Sequence, residues 1–266
     1  MQIAVNDAVK NTASILADFL LKKSREEILG IYEMLLSEST ELGHLKIDEL
    51  SFLQPLLDSK STIKNIGIDL PIMLDTGKPV LMIIALDPKR NDASKQAADE
   101  ISVGSVFNLH CEAGRQARNN YFSFIEPLLD NYSVYLTDVY KVYFESYEKD
   151  RYIVSNKLKD YVDFEIDVNT DKNVNIHRRI LELEIAQLNP QRIITLGVHA
   201  ENALKSILKK ETYDDTYLFM PHISRTVTQS IPVVARMLSS LGKLNNDPEL
   251  IKIGDAISRY KLFYNK

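Results

Sequence analysis

Apolar positions follow two distinct patterns along this chain. In residues 1 to about 65 they recur at helical spacing: Ala8, Ile15, Leu16, Phe19 and Leu20, then Ile28, Ile31, Tyr32 and Leu35. Asp7 and Ser24 are suited to cap such helices, and Glu27 stands three residues after Ser24 as in a capping box. No alternation of the strand type is evident before Pro79. From there the pattern changes. Val80-Leu-Met-Ile-Ile-Ala-Leu86 is a continuous apolar run between Lys78-Pro79 and Asp87-Pro88. A strand buried on both faces reads this way, and such strands belong to parallel sheets covered by helices.

Three further strands are expected at Ser133–Thr137, Arg192–Leu196 and Thr216–Met220. Helix-like stretches precede them at about 115–129, 176–188 and 199–209, the second ended by Asn189-Pro190. Two more helices are expected at about 228–241 and 248–263. Strands alternating with helices of this length predict an α/β fold. The expected form is three-layer α/β/α with a central parallel sheet of about four strands. The division is an N-terminal helical extension, residues 1–65, followed by an α/β domain, residues 66–266. The Tyr-rich segment 140–175 suits an insertion at the strand ends. Its tyrosines either pack that insertion on the body or offer a stacking surface.

Composition narrows the class. The 266 residues are 45% hydrophobic and 26% charged, which excludes disordered and low-complexity architectures. No apolar run reaches the roughly 20 residues of a membrane span, and the first ten residues, with Asp7, do not read as a secretory signal. A cytoplasmic protein without a membrane partner is expected. The single cysteine, Cys111, permits neither an internal disulfide nor an iron–sulfur cluster or zinc site built on four thiolates. A net charge of −5 argues against a broad nucleic-acid face, although a local basic cleft remains compatible with it. Residues 1–65 hold seven Lys/Arg against ten Asp/Glu, so the extension is acidic and suits a protein partner.

In open parallel sheets, ligands bind beyond the carboxyl ends of the strands. The residues that follow the four strands are therefore the candidates. They are Asp87-Pro88-Lys89-Arg90, then Asp138 with Lys141, then Gly197 and His199, and last His222, Ser224 and Arg225. Each has a local explanation: Asp87-Pro88 as a turn, Asp138 as a cap, Gly197 as a positive-φ corner, His199 as a helix start. Their shared placement is what suggests acid–base chemistry on a nucleotide-like ligand. Lys89, Arg90, Lys141 and Arg225 would supply a local positive patch.

The order of these pieces resembles the uracil-DNA glycosylase superfamily. The residues that carry the resemblance are Ala85-Leu-Asp-Pro88, Gly104-Ser-Val-Phe107, Leu136-Thr-Asp-Val139, Arg192-Ile-Ile-Thr-Leu-Gly197 and Met220-Pro-His-Ile-Ser224. It spans about residues 79–242. It implies that Asp87 orients the hydrolytic water and that Phe107 stacks on an extruded base. Asp138 would read the base edge, and His222 would stabilise the leaving base. Lys89, Ser224 and Arg225 would meet phosphates. No metal or cofactor is implied, since water is the nucleophile.

Four positions depart from the family's motifs. Ala85 replaces a Gly, Lys89 a Tyr or Gly, Ile223 a Pro and Asp138 an Asn. An ionised Asp138 only accepts hydrogen bonds, so the base need not be uracil. The expected function is hydrolysis of the N-glycosidic bond of a base in DNA or a related nucleotide. The alternative is a non-catalytic member of the same fold that binds a nucleotide or a protein. A third possibility, an unrelated nucleotide-binding α/β protein, lacks the Gly-x-Gly-x-x-Gly and phosphate-loop signatures.

Overall fold

The computed structural model describes residues 2–4, 7–15, 25–38, 43–46, 63–86, 100–117, 122, 125–146, 153–154, 176–207 and 217–220. Its elements are β1 (Gln2–Ala4), α1 (Asp7–Ile15), α2 (Arg25–Glu38), β2 (Gly43–Lys46), β3 (Ile63–Asp69), β4 (Ile72–Asp75), β5 (Val80–Ala85) and β6 (Glu100–Gly104). There follow α3 (Glu112–Ala117), β7 (Ser133–Asp138), β8 (Val142–Ser146), β9 (Ile153–Val154), α4 (Ile176–Leu188), β10 (Arg192–Leu196), α5 (Val198–Ile207) and β11 (Tyr217–Met220). Two sheets form. The larger has the order β1-β4-β7-β5-β10-β11, and the smaller β2-β6-β3-β8-β9.

The four strands expected from the sequence are β5, β7, β10 and β11, and they are mutually parallel neighbours. In chain order they stand 2-1-3-4, so the chain leaves β5 on one side and returns on the other. Leu81, Met82, Ile83 and Ile84 are buried, as the uninterrupted apolar run requires. The strand ends are in line. Ala85 pairs with Asp138, Thr195 with Ile84, and Leu196 with Met220, so all four carboxyl ends reach one edge. On β7, the Tyr135 and Thr137 hydroxyls both reach Glu184 of α4. Alternation then turns Val134 and Leu136 to the opposite face, where they are also buried.

Two readings need correction. Residues 1–65 are not helical alone: α1 and α2 are there, but so are β1 and β2, and β3 begins at Ile63. β1 adds to the edge of the larger sheet through β4, and β4 runs antiparallel to both of its neighbours, β1 and β7. These strands are three to seven residues long and lack clear alternation, so their partners rather than their periodicity define them. The second correction concerns 115–129. Helix α3 starts at Glu112, and the stretch closes as a 3-10 turn over Glu126–Asp130, with proline at its start. Pro127 lacks an amide and crowds the preceding turn, which disfavours a continuing α-helix. Part of the Tyr-rich segment is strand: β8 and β9 pair antiparallel, and β8 pairs with β3. The helices expected at 228–241 and 248–263 lie outside the described residues.

Two corners follow local rules. Helix α4 ends at Asn189, whose φ of 41° is the left-handed cap favoured by asparagine, and its amide bonds Ile185 O at 2.9 Å. Gly197, between β10 and α5, has φ 92°, as a turn that favours glycine requires. Helix α1 packs on α4 and on α2, and so joins the N-terminal segment to the main sheet.

Candidate functional site

Strand order 2-1-3-4 places a crossover switch between the carboxyl ends of β5 and β10, where open α/β sheets form their ligand crevice. Of the residues expected there, Phe107, Asp138, Lys141, Gly197 and His199 are described. Asp87, Lys89, Arg90, His222, Ser224 and Arg225 lie outside the described residues, although the strands that lead to Asp87 and His222 end on this rim. His199 is exposed in the first turn of α5 at the same rim.

Asp138 is the last residue of β7 and is 1% exposed. Phe107 lies in a 3-10 turn, Val106–Asn108, that packs against β7. Its backbone is left-handed, φ 55° and ψ 18°, and so is that of Asn108, φ 57°. A bulky residue in this region costs about 1–3 kcal/mol and persists only where its surroundings impose it. Two features do so. Ser105 Oγ accepts from the His110 amide at 3.1 Å and meets His110 Nδ1 at 2.8 Å. Gly114 of α3 lies directly on the turn, since a Cβ there would stand 1.9 Å from Asn108 O. The ring of Phe107 is half-buried against the core. Asn108 is buried, and its Oδ1 has no hydrogen-bond partner among the described residues.

Directly below Asp138 is an ionic cluster that the sequence reading missed. Lys141 Nζ bonds Glu184 Oε1 and Oε2 at 3.0 Å each and Asp69 Oδ2 at 3.3 Å, and it also donates to Thr137 Oγ1. Glu184 Oε1 accepts further from Thr12 Oγ1 at 3.0 Å and Tyr135 OH at 2.9 Å. Asp69 Oδ2 accepts from Thr137 Oγ1 and from the Asp138 amide, both at 3.0 Å. Lys141, Asp69 and Glu184 are 0–1% exposed. Lys141 therefore does not belong to a phosphate-facing positive patch. It is neutralised inside the protein, and that expectation is corrected.

Burial works against the charge of Lys141, but Glu184 and Asp69 outweigh it and hold the ammonium pKa above its ordinary value. Burial raises the Glu184 carboxyl pKa, and Lys141 opposes that rise only in part. Burial raises the Tyr135 and Tyr32 phenols well above their ordinary range, with the nearby carboxylates adding to the effect. Tyr32 OH in turn bonds Asp69 O at 2.9 Å.

A signal for Glu184 was present in the sequence. It shares the stripe of Ile180 and Leu181 at helical spacing, and a carboxylate on an apolar face calls for a buried partner. Asp69 carried no comparable mark. Among the described residues, no three His, Cys, Asp or Glu side chains are placed to hold a metal ion, and no helix is long and apolar enough to cross a membrane. No protein-family model and no curated protein matches this chain.

Proposed function

We propose that this protein is a divergent member of the uracil-DNA glycosylase superfamily, built on its three-layer fold. It hydrolyses the N-glycosidic bond of a base in DNA or a related nucleotide. One observation carries the reading: an aromatic residue, Phe107, is held in strained left-handed backbone on a turn packed against the strand that ends in Asp138. Strain of this kind concentrates at ligand sites. An extruded base needs an aromatic face to stack on and a polar group to read its edge. In the proposed chemistry, water placed by Asp87 forms a C1′–O bond and gives up a proton to the Asp87 carboxylate, while the C1′–N bond breaks and its electron pair leaves with the base. His222 stabilises the departing anionic base, and Lys89, Ser224 and Arg225 engage the phosphates.

Asp138 selects the base. As a carboxylate it accepts from an exocyclic amine or a ring N–H, and it opposes the O4 acceptor of uracil at about 1–3 kcal/mol. Cytosine-type bases fit better. The test is a nicking assay on single strands bearing uracil, cytosine derivatives and other modified bases, with wild type, Asp138→Asn and Phe107→Ala. We expect cleavage at an amine-bearing base, a shift toward uracil in Asp138→Asn, and loss of most activity in Phe107→Ala. Efficient uracil excision by the wild type at pH 8 overturns the base choice.

A second reading, a non-catalytic nucleotide- or protein-binding member of the fold, is favoured by the near-complete burial of Asp138. Nucleotide binding with no excision of any base by any of the three proteins selects it. Capture of a partner that is lost with the N-terminal helices does the same. Nucleic-acid affinity that falls steeply with salt supports the enzymatic reading, because neutralised phosphates release counterions.

A further inference from the structure

We propose that the β3–β4 corner, Asp69-Leu70-Pro71, is the positioning element of the candidate site, with Asp69 as the positioning residue for Asp138. This rests on the reading of Asp138 and Phe107 given above, and it involves residues outside the stretch on which the family resemblance stands.

Successive amides at the end of β7 point to opposite neighbours. The Val139 amide turns toward β5 and bonds Ala85 O at 2.9 Å. The Asp138 amide turns the other way, toward β4. That pairing stops at Ile72 opposite Leu136, because the chain bends at Leu70-Pro71 into β3. The position opposite Asp138 therefore has no strand. Asp69 Oδ2 takes its place and accepts the Asp138 amide at 3.0 Å. The same oxygen accepts from the Thr137 hydroxyl at 3.0 Å and from Lys141 Nζ at 3.3 Å, so it also holds one side chain before Asp138 and one after it in the chain. The Asp69 amide also bonds Lys141 O at 2.9 Å.

The corner holds the other half of the site too. Asp69 pairs with Gly104 across β3 and β6, and the Leu70 amide bonds Gly104 O at 2.8 Å. Gly104 leads directly into Ser105 and the left-handed turn of Phe107. One three-residue corner thus grips the end of the strand that carries Asp138 and the start of the turn that carries Phe107. Stability alone does not require a buried ion cluster for this. Replacing such clusters by apolar residues is often neutral or stabilising. Asp69 Oδ1, buried without a hydrogen-bond partner among the described residues, adds to the cost. A carboxylate that specifies the position of a strand end accounts for both.

The test is amide hydrogen exchange of the full chain, read residue by residue, in wild type, Asp69→Ala and Asp69→Asn. Positioning predicts that exchange at Asp138 quickens by roughly tenfold or more in Asp69→Ala, as expected when a hydrogen bond to a charged group is lost. The amides of Ile83 and Ile194 should change far less. Asparagine keeps a neutral acceptor, so Asp69→Asn should recover much of the protection at Asp138 and remains foldable if the alanine variant does not. Equal acceleration at Asp138, Ile83 and Ile194 overturns the proposal and makes the cluster a global stabiliser. An unchanged Asp138 amide overturns it as well. A wild-type protein that excises no base refutes the enzymatic reading without touching this measurement.

Discussion

At Lys141 the identity of one atom decides the fate of two carboxylates. Its ammonium reaches Asp69 and Glu184 where none of the three meets solvent. Lys141→Met leaves both acids buried without their cation and should cost about 3–5 kcal/mol, read as a lower urea midpoint with unchanged slope. Tyr135→Phe should cost less, because Glu184 Oε1 keeps Thr12 and Lys141 as donors. The reverse ranking in urea melts would show that the phenol, not the ammonium, sustains Glu184. Gly114 makes a different kind of demand. An added methyl would collide with the Asn108 carbonyl, and backbone yields poorly. Gly114→Ala should therefore destabilise the protein and displace the Phe107 turn together, the second visible as altered shifts for Ser105 and His110 in NMR spectra. Native shifts throughout that turn would contradict the tight approach of α3.

Among the elements, α1 stands out because it contributes both packing and a hydrogen bond. Ala8, Val9 and Ala13 are buried, and Thr12 reaches Glu184 across 172 positions of sequence. With β1 on the edge of the larger sheet, this makes β1 and α1 part of the main body. A chain that begins at residue 16 should lose on the order of 5 °C in Tm or more, given a few kcal/mol of lost burial. The same Tm in full-length and shortened chains would mean that α1 is an appendage.

For the whole molecule, the buried groups set the pH response. Lys141 has a folded pKa above its unfolded one. Its contribution to stability is therefore complete below about pH 10.5 and lost as pH rises through the folded value. Tyr32 and Tyr135 act in the same direction, because they stay protonated in the native state after the unfolded chain would ionise them. Stability should fall above about pH 10, and Lys141→Met should flatten part of that fall. Of the 13 tyrosines, at least Tyr32 and Tyr135 should titrate only on unfolding when followed by ultraviolet absorbance. Asp75 has the opposite sign. Bonds from the Gly77 amide and the Ser133 hydroxyl lower its pKa, so its contribution is present above about pH 3.8 and lost as pH falls through the folded value. Asp75→Asn should remove that part of the acid response in thermal melts.

The sequence by itself determined the four parallel strands and two of the corners that join strands to helices. A short apolar run such as Val80–Ala85 between turn formers reads as a strand covered on both faces, and Asn189 and Gly197 stand where a left-handed corner is needed. These are local signals, complete within a few residues. It also marked Asp138 and Phe107 as candidates from their place after a strand and within a motif. The tertiary structure decided everything that depends on partners distant in sequence. It set the 2-1-3-4 strand order, attached β1, and turned Lys141 from a presumed surface cation into a buried one. The contacts responsible join Lys141 to Asp69 across 72 residues and to Glu184 across 43. A charged residue looks the same in sequence whether water or two carboxylates solvate it. Only the packed chain removes the water, and with it the choice.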